Sequence, residues 1–262
     1  MQEYHSLFTL GLFMENNAKS FWDRVRAEQG DAVNAFWKMT SKERHQDSLL
    51  RLEKMKQYFS EYFDKKSMAL SIKAMHIAIE CHTGFRKNGE VNVIHQFEVA
   101  GIAIQLFGDS LSDEMLDVLV AACFLHDVLE DHSDKYDEQR LTDVGFSEQV
   151  LTLVKLVTKE EGFSKTKDEY EAYYFSILGN VFAIFLKAMD RLHNLRSMTA
   201  GFSETRQIDY INETILYILP LLKEARRMDS SMYMKSLTLS QQIRSVINTA
   251  SFKLKHLVVD KN

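Results

Sequence analysis

Proline, glycine and cysteine are all scarce in this sequence. There is one proline, Pro220, and there are ten glycines among 262 residues. Because these two residue types mark most tight turns, a chain so poor in both has few positions for the short hairpins of a β-rich fold. The two cysteines, Cys81 and Cys123, stand in apolar stretches and show no Cys-x-x-Cys spacing. That placement predicts two buried, reduced thiols, as in a cytosolic protein.

Long hydrophobic runs and an excess of positive charge are also missing. The early apolar run 7–14 is too short to span a bilayer, and it does not follow the basic segment of a signal peptide. The net charge is −5 and the pI is about 6.0, which argues against broad binding to nucleic acid or to an anionic membrane. A polyanionic small molecule needs only a local cluster of Lys and Arg. We therefore expect a cytoplasmic protein with a small-molecule substrate, whose oligomeric state the sequence leaves open.

The sequence does contain many apolar residues at helical spacing. Intervals of three and four residues, as in Leu52, Met55 and Phe59, predict amphipathic helices. The predicted fold is an all-α bundle of about ten helices. The more strongly patterned helices are predicted over residues 66–82, 95–106, 112–130, 147–158, 168–195 with an interruption at Gly179, 205–227 and 236–257.

The most informative segment is 124–131, where an apolar helix leads into the ionisable residues His126, Asp127, Glu130 and Asp131. Helical residues four apart share a face, so these side chains should project to one side near the helix end. Burying so much charge without a partner is costly, and a divalent cation would resolve that cost. His126 and Asp127 can bind the ion, and Glu130 and Asp131 would then lie one turn away, over its open coordination position. The alternative is a charged, solvated helix end with an exposed His126.

Two further segments carry ionisable side chains beside apolar ones. Asp190 follows the nearly unbroken apolar run 181–189 and is expected near the core, where it needs a cation or hydrogen bonds. A salt-bridged or capping aspartate is the alternative at that position. His95 follows a loop that contains Arg86 and Lys87. Taken alone, His95 is more often an N-terminal helix residue than a metal ligand.

Together these segments resemble the hydrolase domain of the RelA/SpoT homologues, a branch of the HD superfamily. The matching residues are, in chain order, His82, Gly84, Arg86, Lys87, Gly89, Glu90, Ile94, His95, Val99, Ala100, His126, Asp127, Glu130, Asp131, Val157, Thr158, Lys159, Asp190, Arg191, Leu192, His193, Asn194, Glu213 and Thr214. The resemblance implies an HD-type hydrolase core over residues 68–222, with helical extensions over 1–67 and 223–262 in one compact unit. It is closest in kind to the small alarmone hydrolases, which lack a synthetase domain.

The resemblance also implies a site for one Mn²⁺ ion per chain, although mixed nitrogen and oxygen ligands do not exclude other divalent cations. The implied metal ligands are His95, His126, Asp127 and Asp190. Glu130 and Asp131 correspond to the family's pair that positions and activates the attacking water. The implied nucleotide-binding residues are Arg86, Lys87, Asn194, Lys159 and Ser197.

Several departures from the family pattern concern substrate choice more than metal binding. Gln96 follows the first ligand histidine, where the family usually has proline. Val91 and Asn92 replace the Pro-Tyr pair that usually follows the Gly-Glu pair, which alters the pocket wall near the basic loop. The segment 145–146 inverts the usual Phe-Gly order, and 206–212 has no clean match, so a further phosphate-binding arginine stays unassigned.

The reaction that the resemblance implies is hydrolysis of the alarmones (p)ppGpp of the stringent response. Attack at the 3′-diphosphate would release pyrophosphate and leave GDP or GTP, with Glu130 or Asp131 accepting the proton of the water. The same chemistry on (p)ppApp or on NADPH is one alternative, because the pocket wall is altered. A catalytically silent regulator that binds an alarmone or a protein is another. A cyclic-dinucleotide phosphodiesterase is disfavoured, because its Gly-Tyr-Pro element is absent.

Overall fold

The chain folds into α-helices joined by short connections. The computed structural model describes residues 40–86, 89–160, 162–198 and 201–259. The chain forms two compact units, residues 1–47 and 48–262, and only 40–47 of the first are described. Within the described ranges, the only β-structure is an isolated antiparallel bridge between Phe85 and Val91. The predicted all-α class is therefore confirmed.

The helices follow one another with few intervening residues. They are α1 (Ser41–Lys66), α2 (Ala69–Cys81), α3 (Ile94–Phe107), α4 (Asp113–Leu125), α5 (Val128–Asp131), α6 (Glu138–Val144), α7 (Glu148–Val157), α8 (Lys167–Ile177), α9 (Val181–Ser197), α10 (Glu204–Glu213), α11 (Leu219–Met228) and α12 (Tyr233–Val259). A π-helical turn, Thr214–Ile218, joins α10 to α11. None of these helices is both long enough and apolar enough to cross a bilayer.

Polar side chains mark the helix starts. The N-cap residues that accept a hydrogen bond from a backbone N–H in the first turn are Ser112, Asp137, Ser147, Thr166, Asn180 and Ser203. Such caps satisfy N–H groups that have no partner within the helix. The predicted interruption at Gly179 is confirmed, since α8 ends at Ile177 and α9 begins after Asn180.

The centre of the core is α4. All residues of α4 from Leu116 to Leu125 are buried, and the helix packs against α2, α3, α7 and α9. Phe124 near its end contacts Phe97 of α3 edge to face at 5.1 Å, and Phe97 contacts Phe59 of α1 at 5.3 Å. This aromatic cluster holds the start of α3 beside the end of α4, where the predicted ligands His95 and His126 lie.

A buried ionic cluster joins α9 to α8 and α10. Arg191, whose side chain is 2% exposed, donates to Glu213 Oε1 at 2.5 Å and to the Tyr174 hydroxyl at 2.9 Å. Its guanidinium also lies over the Tyr210 ring, 3.8 Å from the ring centre. Arg191 is thus held by Glu213, and its neighbour Asp190 has other partners.

Removing Glu213 should strongly destabilise the fold. Glu213→Ala leaves the buried Arg191 charge without a counter-ion, so we expect the free energy of unfolding to fall by about 3–5 kcal/mol. Urea denaturation followed by circular dichroism measures this loss. Glu224→Ala is the matched control, because Glu224 pairs with Arg227 on the surface and its loss should change stability by less than about 1 kcal/mol. Equal losses in the two variants would contradict a buried ion pair.

Candidate metal centre

The end of α4 differs from the sequence prediction. The continuous helix predicted over 112–130 is interrupted, because α4 ends at Leu125 and α5 begins at Val128 after a turn. In that turn, His126 Nδ1 lies 2.8 Å from the Cys123 carbonyl oxygen, the acceptor that Asp127 N–H would use in a continued helix. Asp127 takes φ −98° and ψ −5° instead. As a result, His126 is buried at the end of the core helix.

Three ligand-type atoms converge from three different helices. His95 Nε2, from the start of α3, lies 3.1 Å from His126 Nε2 and 3.3 Å from Asp190 Oδ1 on α9. His126 Nε2 and Asp190 Oδ1 are 3.7 Å apart. Asp127 Oδ2 is 3.1 Å from His126 Nε2 and 3.6 Å from His95 Nε2. Asp127 lies at the solvent-accessible edge of this cluster, since its side chain is 30% exposed while the other three are nearly or fully buried.

The spacing of these atoms fits a metal ion. Nitrogen and oxygen ligands bind a transition metal at about 2.0–2.2 Å, so two ligand atoms at octahedral or tetrahedral angles lie about 3–3.5 Å apart. His95, His126 and Asp190 could hold such an ion. Imidazole together with carboxylate suits several divalent transition metals, so the donor set does not select one of them.

The charges at the centre favour a cation. Burial favours a neutral imidazole and lowers the pKa of His95 to about 4. Burial acts in the same direction on His126, but the carboxylates of Asp127 and Asp190 outweigh it and raise the pKa of His126 to about 10. Without a metal ion, a proton on His126 therefore offsets part of the charge of the two carboxylates. A divalent cation can replace that proton.

We expect metal binding to strengthen as the pH rises. A metal ion needs the lone pair of His126 Nε2, and the raised pKa of His126 means that a proton must leave first. The apparent association constant for Mn²⁺ should therefore rise about tenfold per pH unit between about pH 6.5 and 8.5, with about one proton released per ion. Calorimetric titration in two buffers of different ionisation enthalpy measures both quantities. A pH-independent affinity without proton release would contradict the displacement of a proton from His126.

Hydrogen bonds on the far side of His95 fix its tautomer. His193 Nε2 lies 3.0 Å from Glu98 Oε2, and because a carboxylate only accepts, His193 donates from Nε2. Burial lowers the pKa of His193 to about 4, so the ring is neutral and its Nδ1 is an acceptor. His95 Nδ1 is 2.6 Å from that atom and therefore donates to it. His95 Nε2 is left with its lone pair facing the candidate metal centre, as second-sphere partners commonly arrange.

Two charged residues that sequence reasoning missed support this arrangement. Arg51 of α1 pairs with Glu98 and also, at 2.7 Å, with Glu90 of the loop before α3. Lys187 lies 3.4 Å from Asp190 Oδ2 and is largely buried. In the sequence, Lys187 is the single lysine of an apolar run and stands three residues before Asp190, a spacing that brings two helical side chains together.

The predicted catalytic pair follows Asp127 along the chain. Glu130 and Asp131 form the last residues of α5 and are both exposed. Glu130 Oε2 accepts a hydrogen bond from the backbone N–H of Lys159 at 3.2 Å, which restrains its carboxylate. Partial burial and the negative charges of Asp127 and Glu130 raise the pKa of Asp131. A raised pKa makes a carboxylate a stronger base.

The predicted nucleotide-binding residues differ in whether they contact the candidate metal centre. Asn194 donates to Asp190 Oδ1 at 2.5 Å, and the half-buried Ser197 donates to a backbone carbonyl of α9. Arg86 is half-buried in the loop before α3, and its charge contributes to the lowered pKa of His193. Lys87 lies outside the described residues.

The Lys159 side chain lies among aromatic rings, which is not the environment expected of a lysine that binds phosphate. Its ammonium lies over the rings of Phe163, Tyr170 and Tyr173, at 5.4–5.9 Å from the ring centres. A cavity of about 410 Å³ beside these rings is lined by residues of α7, of α8 and of the loop between them, such as Thr158, Phe163 and Tyr173, and by none of the four predicted ligands. In this structure Lys159 therefore contacts Glu130 through its backbone and aromatic rings through its side chain.

The fold and the centre agree with one class of protein. Residues 92–195 match the family model of the HD domain, a stretch that includes all four predicted ligands. Residues 92–195 are therefore similar to an HD domain, and the bounds 68–222 of the predicted core stay a prediction.

Particular relatives extend this similarity to the RelA/SpoT homologues. The chain is 34% identical over 142 residues to the probable guanosine-3′,5′-bis(diphosphate) 3′-pyrophosphohydrolase of Synechocystis sp., covering 52% of this chain and 17% of the relative. It is 30% identical over 172 residues to a GTP pyrophosphokinase of Myxococcus xanthus, covering 62% and 21%. The chain thus spans about a fifth of the length of these curated relatives. The predicted resemblance to the RelA/SpoT homologues is confirmed.

A solved structure shares the fold. It is described as a metazoan ortholog of SpoT that hydrolyzes ppGpp and plays a role in starvation responses. The two chains are 18% identical and superpose with a TM-score of 0.53, over 69% of this chain and 95% of the other. At that identity the match shows a common architecture.

Proposed function

We propose that this protein is a metal-dependent phosphohydrolase that removes the 3′-diphosphate of (p)ppGpp, leaving GDP or GTP and releasing pyrophosphate. The observation that carries the proposal is the convergence of His95 Nε2, His126 Nε2 and Asp190 Oδ1 within 3.1–3.7 Å of one another. The names of the Synechocystis relative and of the structural neighbour supply the substrate. We place the reaction in the cytoplasm and its catalytic core within residues 68–222.

The proposed cofactor is one Mn²⁺ ion held by His95, His126, Asp127 and Asp190. Asp127 is included because its Oδ2 faces both imidazoles at distances similar to those within the other three residues. When bound, such an ion lowers the pKa of a water molecule and neutralises charge on phosphate oxygens. The protein's contribution is to orient both imidazoles with Nε2 toward the centre, through His193 for His95 and through the Cys123 carbonyl for His126.

Other side chains would accept the proton of the attacking water and bind the nucleotide. We assign to Glu130 and Asp131 the positioning of the attacking water and the acceptance of its proton, which the backbone contact of Glu130 and the raised pKa of Asp131 support. The cationic and polar residues proposed to bind the nucleotide are Arg86, Lys87, Asn194, Lys159 and Ser197. Of these, Arg86 and Asn194 have the most direct support, since the charge of Arg86 helps to lower the pKa of His193 and Asn194 donates to Asp190.

A substrate panel tests the proposal. The purified protein with added Mn²⁺ is incubated with ppGpp, pppApp and NADPH, and released pyrophosphate is measured separately from released single phosphate. We expect pyrophosphate from ppGpp at the highest kcat/KM. Pyrophosphate mainly from pppApp, or single phosphate from NADPH, would assign the same chemistry to another nucleotide. No turnover of any of the three by the metal-loaded protein would overturn the hydrolase assignment.

A further inference from the structure

Gln96 makes a contact that its position in the family pattern does not explain. It is the third residue of α3, directly after His95, and it is 2% exposed. Its Nε2 lies 3.2 Å from Asp127 Oδ2. Because a carboxylate only accepts hydrogen bonds, the Gln96 amide must present its NH₂ group to Asp127. The departure at this position therefore bears directly on a proposed metal ligand, and not only on substrate choice.

The other end of the same amide has no partner. Gln96 Oε1 is buried, and no described residue donates a hydrogen bond to it. A buried acceptor left in this state costs about 1–3 kcal/mol. Its orientation is fixed by the bond to Asp127, so turning the amide over would only move the unpaired group. The site is therefore built to receive a hydrogen-bond donor at Oε1.

The backbone at this position does not require glutamine. Gln96 N–H bonds to the Val93 carbonyl in the first turn of α3, a turn in which proline is tolerated. Proline, which the resemblance leads one to expect here, would provide neither an amide donor nor an amide acceptor. The side-chain amide is what Gln96 adds to this chain.

We propose that Gln96 is a positioning residue of the candidate metal centre. Its amide N–H holds the Asp127 carboxylate facing the two imidazoles, and its Oε1 accepts a hydrogen bond from a water molecule in the site. This inference rests on the proposed function, because it assumes that Asp127 is a metal ligand. Asp127 needs such support more than Asp190 does. Asp190 is buried and restrained by Lys187 and Asn194, whereas Asp127 is 30% exposed.

The expected effect on metal affinity is taken from other groups that contact metal ligands. Losing such a partner weakens metal binding by about 10–100-fold. Gln96→Met keeps the length of the side chain and removes both hydrogen-bonding groups. We expect it to raise the Kd for Mn²⁺ by at least about tenfold, and to lower kcat with little change in the KM for ppGpp.

The experiment measures metal affinity independently of turnover. Calorimetric titration with Mn²⁺, and the Mn²⁺ electron paramagnetic resonance spectrum of the loaded protein, are recorded for wild type, Gln96→Met and Gln207→Met. Gln207 is a matched control, because it is also buried and donates instead to the Phe202 carbonyl. We expect an altered spectrum and a weakened affinity for Gln96→Met, and wild-type values for Gln207→Met.

The outcomes separate this inference from the proposed function. A wild-type Kd and spectrum for Gln96→Met would overturn the role of Gln96 and leave the hydrolase assignment intact. A wild-type protein that takes up no Mn²⁺ would overturn both. If Gln96→Met does not fold, Gln96→Leu replaces it, since leucine also lacks hydrogen-bonding groups and keeps the backbone N–H bond to Val93, and the same loss of affinity is expected.

Discussion

Replacing Asp190 with asparagine should abolish both divalent-cation binding and nucleotide hydrolysis. Asp190 Oδ1 lies 3.3 Å and 3.7 Å from the Nε2 atoms of His95 and His126, so among the residues that the structure describes it is the one buried carboxylate that faces both rings. Asparagine has nearly the same shape but removes the negative charge that offsets the cation. We expect Mn²⁺ uptake to fall below detection by calorimetry. The kcat/KM should fall by more than about 1000-fold, because the metal-activated water is lost.

The ion pair between Asp190 and Lys187 affects the stability of the Asp190→Asn variant and also suggests its control. Lys187 is largely buried against Asp190 Oδ2, so asparagine leaves its charge uncompensated and can weaken the fold. The double variant Lys187→Met/Asp190→Asn removes both charges. We expect the double variant to unfold at a higher urea concentration than Asp190→Asn does, and still to bind no metal. If the double variant binds Mn²⁺ as the wild type does, Asp190 is not a ligand.

Replacing Glu130 with glutamine should slow catalysis and spare the metal. Glu130 is exposed, and glutamine can still accept the hydrogen bond from the Lys159 backbone N–H, so the local structure should persist. Without a carboxylate to accept the proton of the attacking water, we expect kcat to fall by about 100-fold or more. The Kd for Mn²⁺ should stay within about twofold of the wild-type value, since Glu130 is not assigned as a ligand.

A matched exposed glutamate controls for the change of charge. Glu114 lies in the first turn of α4, about 18 Å along the helix axis from His126. Glu114→Gln should leave both kcat and metal affinity unchanged. A metal-loaded Glu130→Gln variant that works at full speed would transfer the role of base to Asp131, whose raised pKa already suits it. The double variant Glu130→Gln/Asp131→Asn then decides whether either carboxylate is needed.

Much of the site could be predicted because its residues stand in unusual sequence contexts. An aspartate after a long apolar run, as at Asp190, has few stable environments, and a His-Asp pair at the end of a buried helix has equally few. The structure brings both segments together with His95. Helix boundaries at capping residues such as Ser112 and Ser147 were also predictable, because capping is a local interaction.

Other features depend on contacts between segments far apart in sequence. The break after α4 occurs where the His126 ring bonds to the Cys123 carbonyl, a contact that a helical pattern does not encode. Arg51 and Glu98 are 47 positions apart, and nothing in either segment points to the other. Gln96 was predicted to affect substrate choice more than metal binding, yet its amide donates to Asp127.

The way α12 packs has a consequence for what counts as the folding unit. This helix lies against α9, which carries Asp190, and it buries Leu239, Ile243 and Ile247. The match to the HD family model ends at residue 195, before α12 begins. A polypeptide shortened to the matching stretch would lack α12, and the apolar surface of α9, the helix that carries Asp190, would be exposed. The segment that matches the family model is therefore shorter than the segment that must be present for these helices to pack.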